Sequence, residues 1–212
     1  MSARIEKVLT AGNSDPAGPP IHENNTWLIG DDTEVVVIDP AHDADAVDEA
    51  VDGRRVVAVL ITHGHWDHVR EAALFAARHG LVARMNPSDQ FLWADELDDA
   101  PFDALADGER VAVAGVEVVA MHTPGHTPGS TSFLVVGPVK GAPGVVFTGD
   151  TLFPGGPGAT RWGYSSFDQL LSSIADTLFV QPADTVVHPG HGASTTIGAE
   201  REHLDEWRAR GW

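Results

Sequence analysis

An α/β fold with sheets inside and helices outside is predicted for this 212-residue chain, and three features predict it. Short β-branched runs recur through both halves, and segments of helical periodicity lie between them, so each half contributes both kinds of element. Several runs are apolar at nearly every position, which suits strands covered on both faces. The order does not fit a single repeating βαβ unit. The length suits one domain over 1–212 with a substantial core.

In chain order, strands are expected at 26–30, 35–39, 56–62, 109–113, 116–122, 131–136, 145–149 and 185–188, where Val, Ile, Thr and Phe cluster between turn residues. Helical patterns fit 43–51, 67–79, 87–97, 165–178 and 199–210. The fourth has Ser165 as candidate N-cap and Asp168 three residues on, with Leu170, Leu171, Ile174 and Leu178 forming one stripe. The Pro/Gly-rich stretches at 12–20, 137–144 and 154–158 read as loops.

Composition narrows the chemistry. With no cysteine, disulfides, thiolate nucleophiles, Fe–S clusters and cysteine zinc sites are excluded, so any metal must be held by nitrogen and oxygen. Thirteen Lys and Arg against 31 Asp and Glu give a net charge of −18 and no basic stripe, which argues against nucleic acid or an anionic membrane as partner. No apolar run is long enough to span a bilayer, and the start MSARIEKVLTAG lacks the pattern of a secretory signal; a cytoplasmic protein is expected.

The run Leu60-Ile61-Thr62-His63-Gly64-His65-Trp66-Asp67-His68 stands where an apolar strand gives way to a helical pattern. His63 and His65 are two apart in extended chain, so their rings leave the same side. Asp67 and His68 follow as the backbone turns and aim at a neighbouring point. His126 (in Thr123–Gly129), Asp150 (after Val145–Gly149) and His191 (in His188–Gly192) each follow a strand and a Gly-containing turn. A lone histidine is more often a packing or surface residue. An H-x-H-x-D-H run with three further strand-end ligands is a metal-binding signature.

On these residues the chain resembles the metallo-β-lactamase superfamily. The likeness extends from Asn25-Thr26-Trp27-Leu28-Ile29 and Val37-Ile38-Asp39-Pro40 through Gly190-His191-Gly192. It is most similar to the glyoxalase II-like branch through Thr123–Gly129, Thr148-Gly149-Asp150-Thr151-Leu152-Phe153 and His188–Gly192 with the following Thr195–Glu200. The resemblance implies a four-layer αβ/βα sandwich with two divalent ions at one edge, zinc first and iron or manganese as alternatives. It implies His63, His65 and His126 on one ion, Asp67, His68 and His191 on the other, and Asp150 bridging. It also implies hydrolysis of a small hydroxyacyl thioester by a metal-bound hydroxide. Asp67 and Asp150 are then the catalytic carboxylates. Two ions offset by those acids and a hydroxide leave the site locally positive, which favours neutral or anionic acyl substrates.

Two departures from that branch bear on substrate recognition. Its helical C-terminal segment, which helps bind glutathione, is not expected from the residues following 200–210. The stretch following Asp150 reads Pro154-Gly155-Gly156-Pro157-Gly158-Ala159-Thr160-Arg161-Trp162-Gly163-Tyr164 instead of the branch's usual pattern. Arg161 is a candidate for a substrate carboxylate and Tyr164, the sole tyrosine, for a substrate oxygen. Asp39 is either a support for His63 or His68 or a turn cap. His122 and His188 suit packing or ligand support, and His22, His42, His79 and His203 suit the surface or turns. Alternatives within the same fold are a mono-iron persulfide dioxygenase and a lactonase or other ester hydrolase.

Overall fold

The computed structural model describes residues 3–15, 17–19, 21–137, 139 and 143–211. Parts of the loops expected at 12–20 and 137–144 lie outside the described residues. The first sheet takes β1 (Arg4–Gly12), β2 (His22–Gly30), β3 (Glu34–Ile38), β4 (Arg55–Leu60), β5 (Ala83–Met85) and β6 (Phe102–Ala104) in that order. β1 to β3 are antiparallel, and β3 to β6 run parallel. The second sheet collects β7 (Arg110–Val113), β8 (Val116–His122), β9 (Thr131–Val136) and β10 (Val145–Gly149). A short ribbon, β11 (Leu152–Phe153) with β12 (Gly156–Pro157), leads to β13 (Val186–Pro189) and β14 (Thr195–Thr196), which complete that sheet beside β10.

Residue alternation explains the layers. Trp27, Ile29, Val36, Ile38 and Leu60 of the first sheet meet Val118, Phe133, Val145 and Phe147 of the second in one buried cluster. The intervening Leu28, Val35, Val37, Val59 and Ile61 face the other way, against α1 (Ala44–Val51), the short α2 (Trp66–Val69), α3 (Ala72–Arg78) and α4 (Gln90–Leu97) through Val47, Val51, Val69, Phe75 and Trp93. Val146 and Val187 of the second sheet likewise face α5 (Phe167–Ser173), α6 (Ile197–Arg201) and α7 (Leu204–Arg210) through Leu170, Leu171, Ile197 and Trp207. Helix, sheet, sheet and helix form the four layers. Central strands apolar at every position are those with packing partners on both faces.

Several elements differ from expectation. β1 was not anticipated, because Arg4, Glu6 and Lys7 interrupt its apolar pattern; it is an edge strand, where charge is tolerated. β5, β6, β11, β12 and β14 have only two or three residues, too few to carry a period. The helix expected over 67–79 is broken between α2 and α3, and that over 199–210 between α6 and α7. The N-cap of α5 is Ser166, whose Oγ accepts from Gln169 N, and not Ser165. Ser165 donates its hydroxyl to the His126 carbonyl. After α5 the chain continues as a π-helical turn, Ile174–Leu178.

Candidate metal centre

β8 and β10 both run antiparallel to β9, and β13 runs parallel to β10. Their C-terminal ends therefore share one edge of the sandwich, where β3 and β4 of the first sheet also end. His126, Asp150 and His191 emerge from the second sheet there, and Asp39 and His63 from the first. Asn25 and Trp27 join the sheets at this edge. Asn25 N donates to Gly190 O at 2.8 Å, and Trp27 Nε1 to Pro189 O at 3.1 Å.

All seven expected ligand residues meet at that edge. His65 Nδ1 lies 3.0 Å from both His63 Nε2 and His126 Nε2. Beside them His191 Nε2 lies 3.3 Å from Asp67 Oδ2, and His68 Nε2 4.0 Å from the same oxygen. Asp150 faces both groups, with Oδ2 3.7 Å from His126 Nε2 and 3.5 Å from His191 Nε2, and Oδ1 3.4 Å from His68 Nε2. Within each of the triads His63–His65–His126 and Asp67–His68–His191, one donor atom per residue lies within 4.8 Å of the others.

The outer ring nitrogens set the tautomers. His126 Nδ1–H donates to Ala159 O at 2.7 Å, and His191 Nδ1–H to Glu23 O at 2.6 Å. His68 Nδ1–H meets Asp39 Oδ2 at 2.8 Å. Thr62 donates to the same carboxylate through its N–H at 2.7 Å and its hydroxyl at 2.6 Å, and its Oγ1 accepts from His63 Nδ1–H at 3.0 Å. His65 Nε2–H reaches Tyr164 Oη at 2.9 Å. In each ring the outer nitrogen is bonded and the inner one faces the cluster. Asp39 thus supports His68 directly and His63 through Thr62.

Electrostatics divides the cluster. Burial, followed by the neighbouring rings, lowers His63 well below the ordinary histidine range and His65 to about 3. Burial also lowers His126. These rings stay neutral, as nitrogen ligands of a cation must be. At His191 burial opposes charge, but Asp150 and Asp67 override it and raise the ring to about 10. Asp150, Asp67 and Asp39 likewise overcome burial to raise His68. Burial would raise Asp150 and Asp67, yet His191 and His68 hold both carboxylates below their ordinary range. This half of the cluster calls for positive charge.

The donor set fits divalent metal. His68 Nε2 and Asp150 Oδ1 are buried and have no hydrogen-bond partner, and an inner ring nitrogen beside a carboxylate oxygen is a pair of donor atoms that a divalent cation could satisfy. The backbone leaves room beside them: a Cβ on Gly190 would lie 2.5 Å from His68 Cε1 and 2.6 Å from Asp150 Oδ1.

A family model of the metallo-β-lactamase superfamily matches residues 20–191. The chain belongs to this superfamily. Superfamily members are mostly hydrolases and bind divalent metals, as this His/Asp cluster is suited to do. An uncharacterized protein of Mycobacterium tuberculosis is 37% identical over 190 residues, covering 80% of this chain and 85% of its own. The hydroxyacylglutathione hydrolase GloC of Haemophilus influenzae is 32% identical, covering 84% of this chain and 90% of its own. Among solved structures, TTHA1623 in a di-iron-bound form superposes with TM-score 0.73 at 29% identity, covering 92% of this chain and 96% of that one.

The superfamily centre opens into a cleft of 790 Å³ lined by His65, Asp67, His126, Asp150 and His191 at its floor, with Trp66, Trp162, Tyr164, Phe153 and Arg161 on its walls. That size suits a small molecule. Arg161 lies over the Trp162 ring at 4.8 Å, and Trp162 leans on His65 with ring centroids 4.5 Å apart. Asn24 escaped the sequence reading although its Nδ2 is 3.5 Å from both Asp67 Oδ2 and His191 Nε2; an asparagine inside a strand carries no local signal. His42 is a correction: expected at the surface or in a turn, it is buried against Trp66. No helix among the described residues is long and apolar enough to cross a membrane.

Proposed function

We propose that this chain is a hydrolase of small acyl thioesters that uses two divalent ions. His63, His65 and His126 would hold one ion, Asp67, His68 and His191 the other, and Asp150 would serve both. The carrying observation is the orientation of the five rings: each inner nitrogen faces the cluster while its outer one is bonded, and His68 Nε2 and Asp150 Oδ1 are buried without partners. When bound, the ions activate water at neutral pH and polarise the acyl carbonyl. The chain's own residues set the geometry. Asp39 and Thr62 fix His68 and His63, Asn24 steadies Asp67 and His191, and the Trp162 wall keeps one side of His65 and His126 dry.

The thioester class is supported by the likeness to GloC, named a hydroxyacylglutathione hydrolase. Arg161 is proposed to meet a polar or anionic end of the substrate on the cleft wall. Tyr164, whose hydroxyl is bonded to His65, steadies that ring on the cleft wall. Zinc is the proposed metal, and the di-iron form of TTHA1623 favours iron as the second choice. The likeness to ETHE1 from Myxococcus xanthus, at 26% identity and TM-score 0.69, keeps a mono-iron persulfide dioxygenase as the second reading.

The test is a panel of lactoyl thioesters of several thiols, with lactones and persulfides, assayed under argon and under air with metal content measured. Thiol release independent of oxygen, with two ions per chain, is expected. Absent thiol release together with oxygen consumption by a persulfide would overturn the hydrolase in favour of the dioxygenase.

A further inference from the structure

Asp89 closes the 3₁₀ turn Pro87–Asp89 and stands at the N-cap position of α4. An aspartate there ordinarily accepts a hydrogen bond from its own helix. Asp89 makes no such bond and is fully buried. Its carboxylate instead spans two loops: Oδ2 accepts from Gly64 N at 2.9 Å and from Thr127 Oγ1 at 2.6 Å, and Oδ1 accepts from Gly129 N at 2.6 Å. The approach is close enough that a Cβ on Gly129 would fall 2.6 Å from Asp89 Cγ.

The bonded groups flank the ligands. Gly64 lies between His63 and His65, on the loop leaving β4 of the first sheet. Thr127 follows His126, on the loop leaving β8 of the second. The three-histidine set is therefore assembled from opposite sheets, and one carboxylate ties both loops beside the rings. Burying a carboxylate is costly, and its three donors offset part of that cost. A neutral amide could not replace it in kind. It has one acceptor oxygen and would turn a donor toward Gly64 and Thr127 or toward Gly129.

We propose that Asp89 is a positioning residue for the His63–His65–His126 set, holding the two loops in the register that lets the three rings share one ion. This rests on the metal-centre reading above, and the test separates the two. Wild type, Asp89→Asn, Thr127→Val and Thr127→Ser are loaded with Co(II), and the visible ligand-field spectrum, the release of each ion to a chelator and the far-ultraviolet circular dichroism are recorded. In Asp89→Asn and Thr127→Val one of the two ions should leave about 10–100-fold more readily, the usual penalty for disturbing an outer support. The bands of that ion should shift while the circular dichroism stays unchanged. Thr127→Ser, which keeps the hydroxyl, should match wild type. Folded Asp89→Asn and Thr127→Val proteins with wild-type spectra and release overturn this inference alone. A wild type that takes up no Co(II) overturns the metal centre and this inference with it. Should Asp89→Asn fail to fold, the Thr127 pair decides.

Discussion

At the scale of single residues, Asp150 is proposed to carry more than any other ligand. Its carboxylate faces both halves of the cluster, with His126, His68 and His191 within 3.7 Å of its oxygens. Asp150→Ala should lower turnover of an acyl thioester by about two or more orders of magnitude, within the range for removing control of transition-state charge. The loss should exceed that of any single histidine change, as steady-state rates at matched metal content would establish. A folded variant with near-native turnover would refute the proposed bridging role. His188 behaves differently although it is only three positions from His191. It stacks on Trp27 at 4.2 Å, and burial, with Lys7 nearby, lowers it to about 4. The folded protein keeps this ring neutral while the unfolded chain protonates it near the ordinary value, so stability rises with pH across that interval. The contribution is complete above about 6.5, the ordinary histidine pKa, and is lost as pH falls through about 4. In urea unfolding at several pH values, wild type should lose stability relative to His188→Gln between pH 7 and pH 4. A constant difference would show that His188 titrates alike in both states.

At the scale of elements, helix starts show how a local signal can point one residue away. Ser165 is the expected cap, and its neighbour Ser166 carries the same hydroxyl. Ser166 has an extended conformation and accepts from Gln169 N, while Ser165 is drawn to the His126 carbonyl. Ser166→Ala should cost about 1 kcal/mol in denaturant midpoint experiments, the usual value for an N-cap. Ser165→Ala should show its effect in the metal affinity of the His126 set rather than through the cap. Equal losses of stability with unchanged metal affinity would reverse this assignment. The strands tell the complementary story. β3, β4 and β10 were legible because both of their faces are covered, whereas β1 lies at an edge and its charges hide it.

At the scale of the whole molecule, the proposed ions are fastened to both sheets. His63 and His65 come from the loop after the first sheet's β4, Asp67 and His68 from the short α2 that follows it, and His126, Asp150 and His191 from the C-terminal ends of second-sheet strands. Metal bound only by the folded chain adds RT ln(1 + [L]/Kd), or about 4 kcal/mol at a thousandfold excess over Kd. Chelation should therefore lower the thermal midpoint and leave the His68, His191, Asp67 and Asp150 charges to balance one another. Calorimetry of metal-loaded and chelated protein measures this; identical midpoints would mean that no ion is held across the sheets.

The sequence by itself determined which residues could be ligands and that they follow strands, because the H-x-H-x-D-H run and the Gly-rich turns at His126, Asp150 and His191 are local patterns. It also determined the alternation that sends Ile38 and Leu60 to one face and Val37 and Val59 to the other. Only the tertiary structure decided that those four strand ends share an edge, that Asp39 reaches His68 and Thr62, and that Asn24 and Asp89 support the centre. These contacts join residues 23 to 167 positions apart along the chain. A pattern read over a dozen neighbours reports local periodicity and turns. Which distant groups meet depends on how two sheets stack, and that is settled by the packing of the whole core.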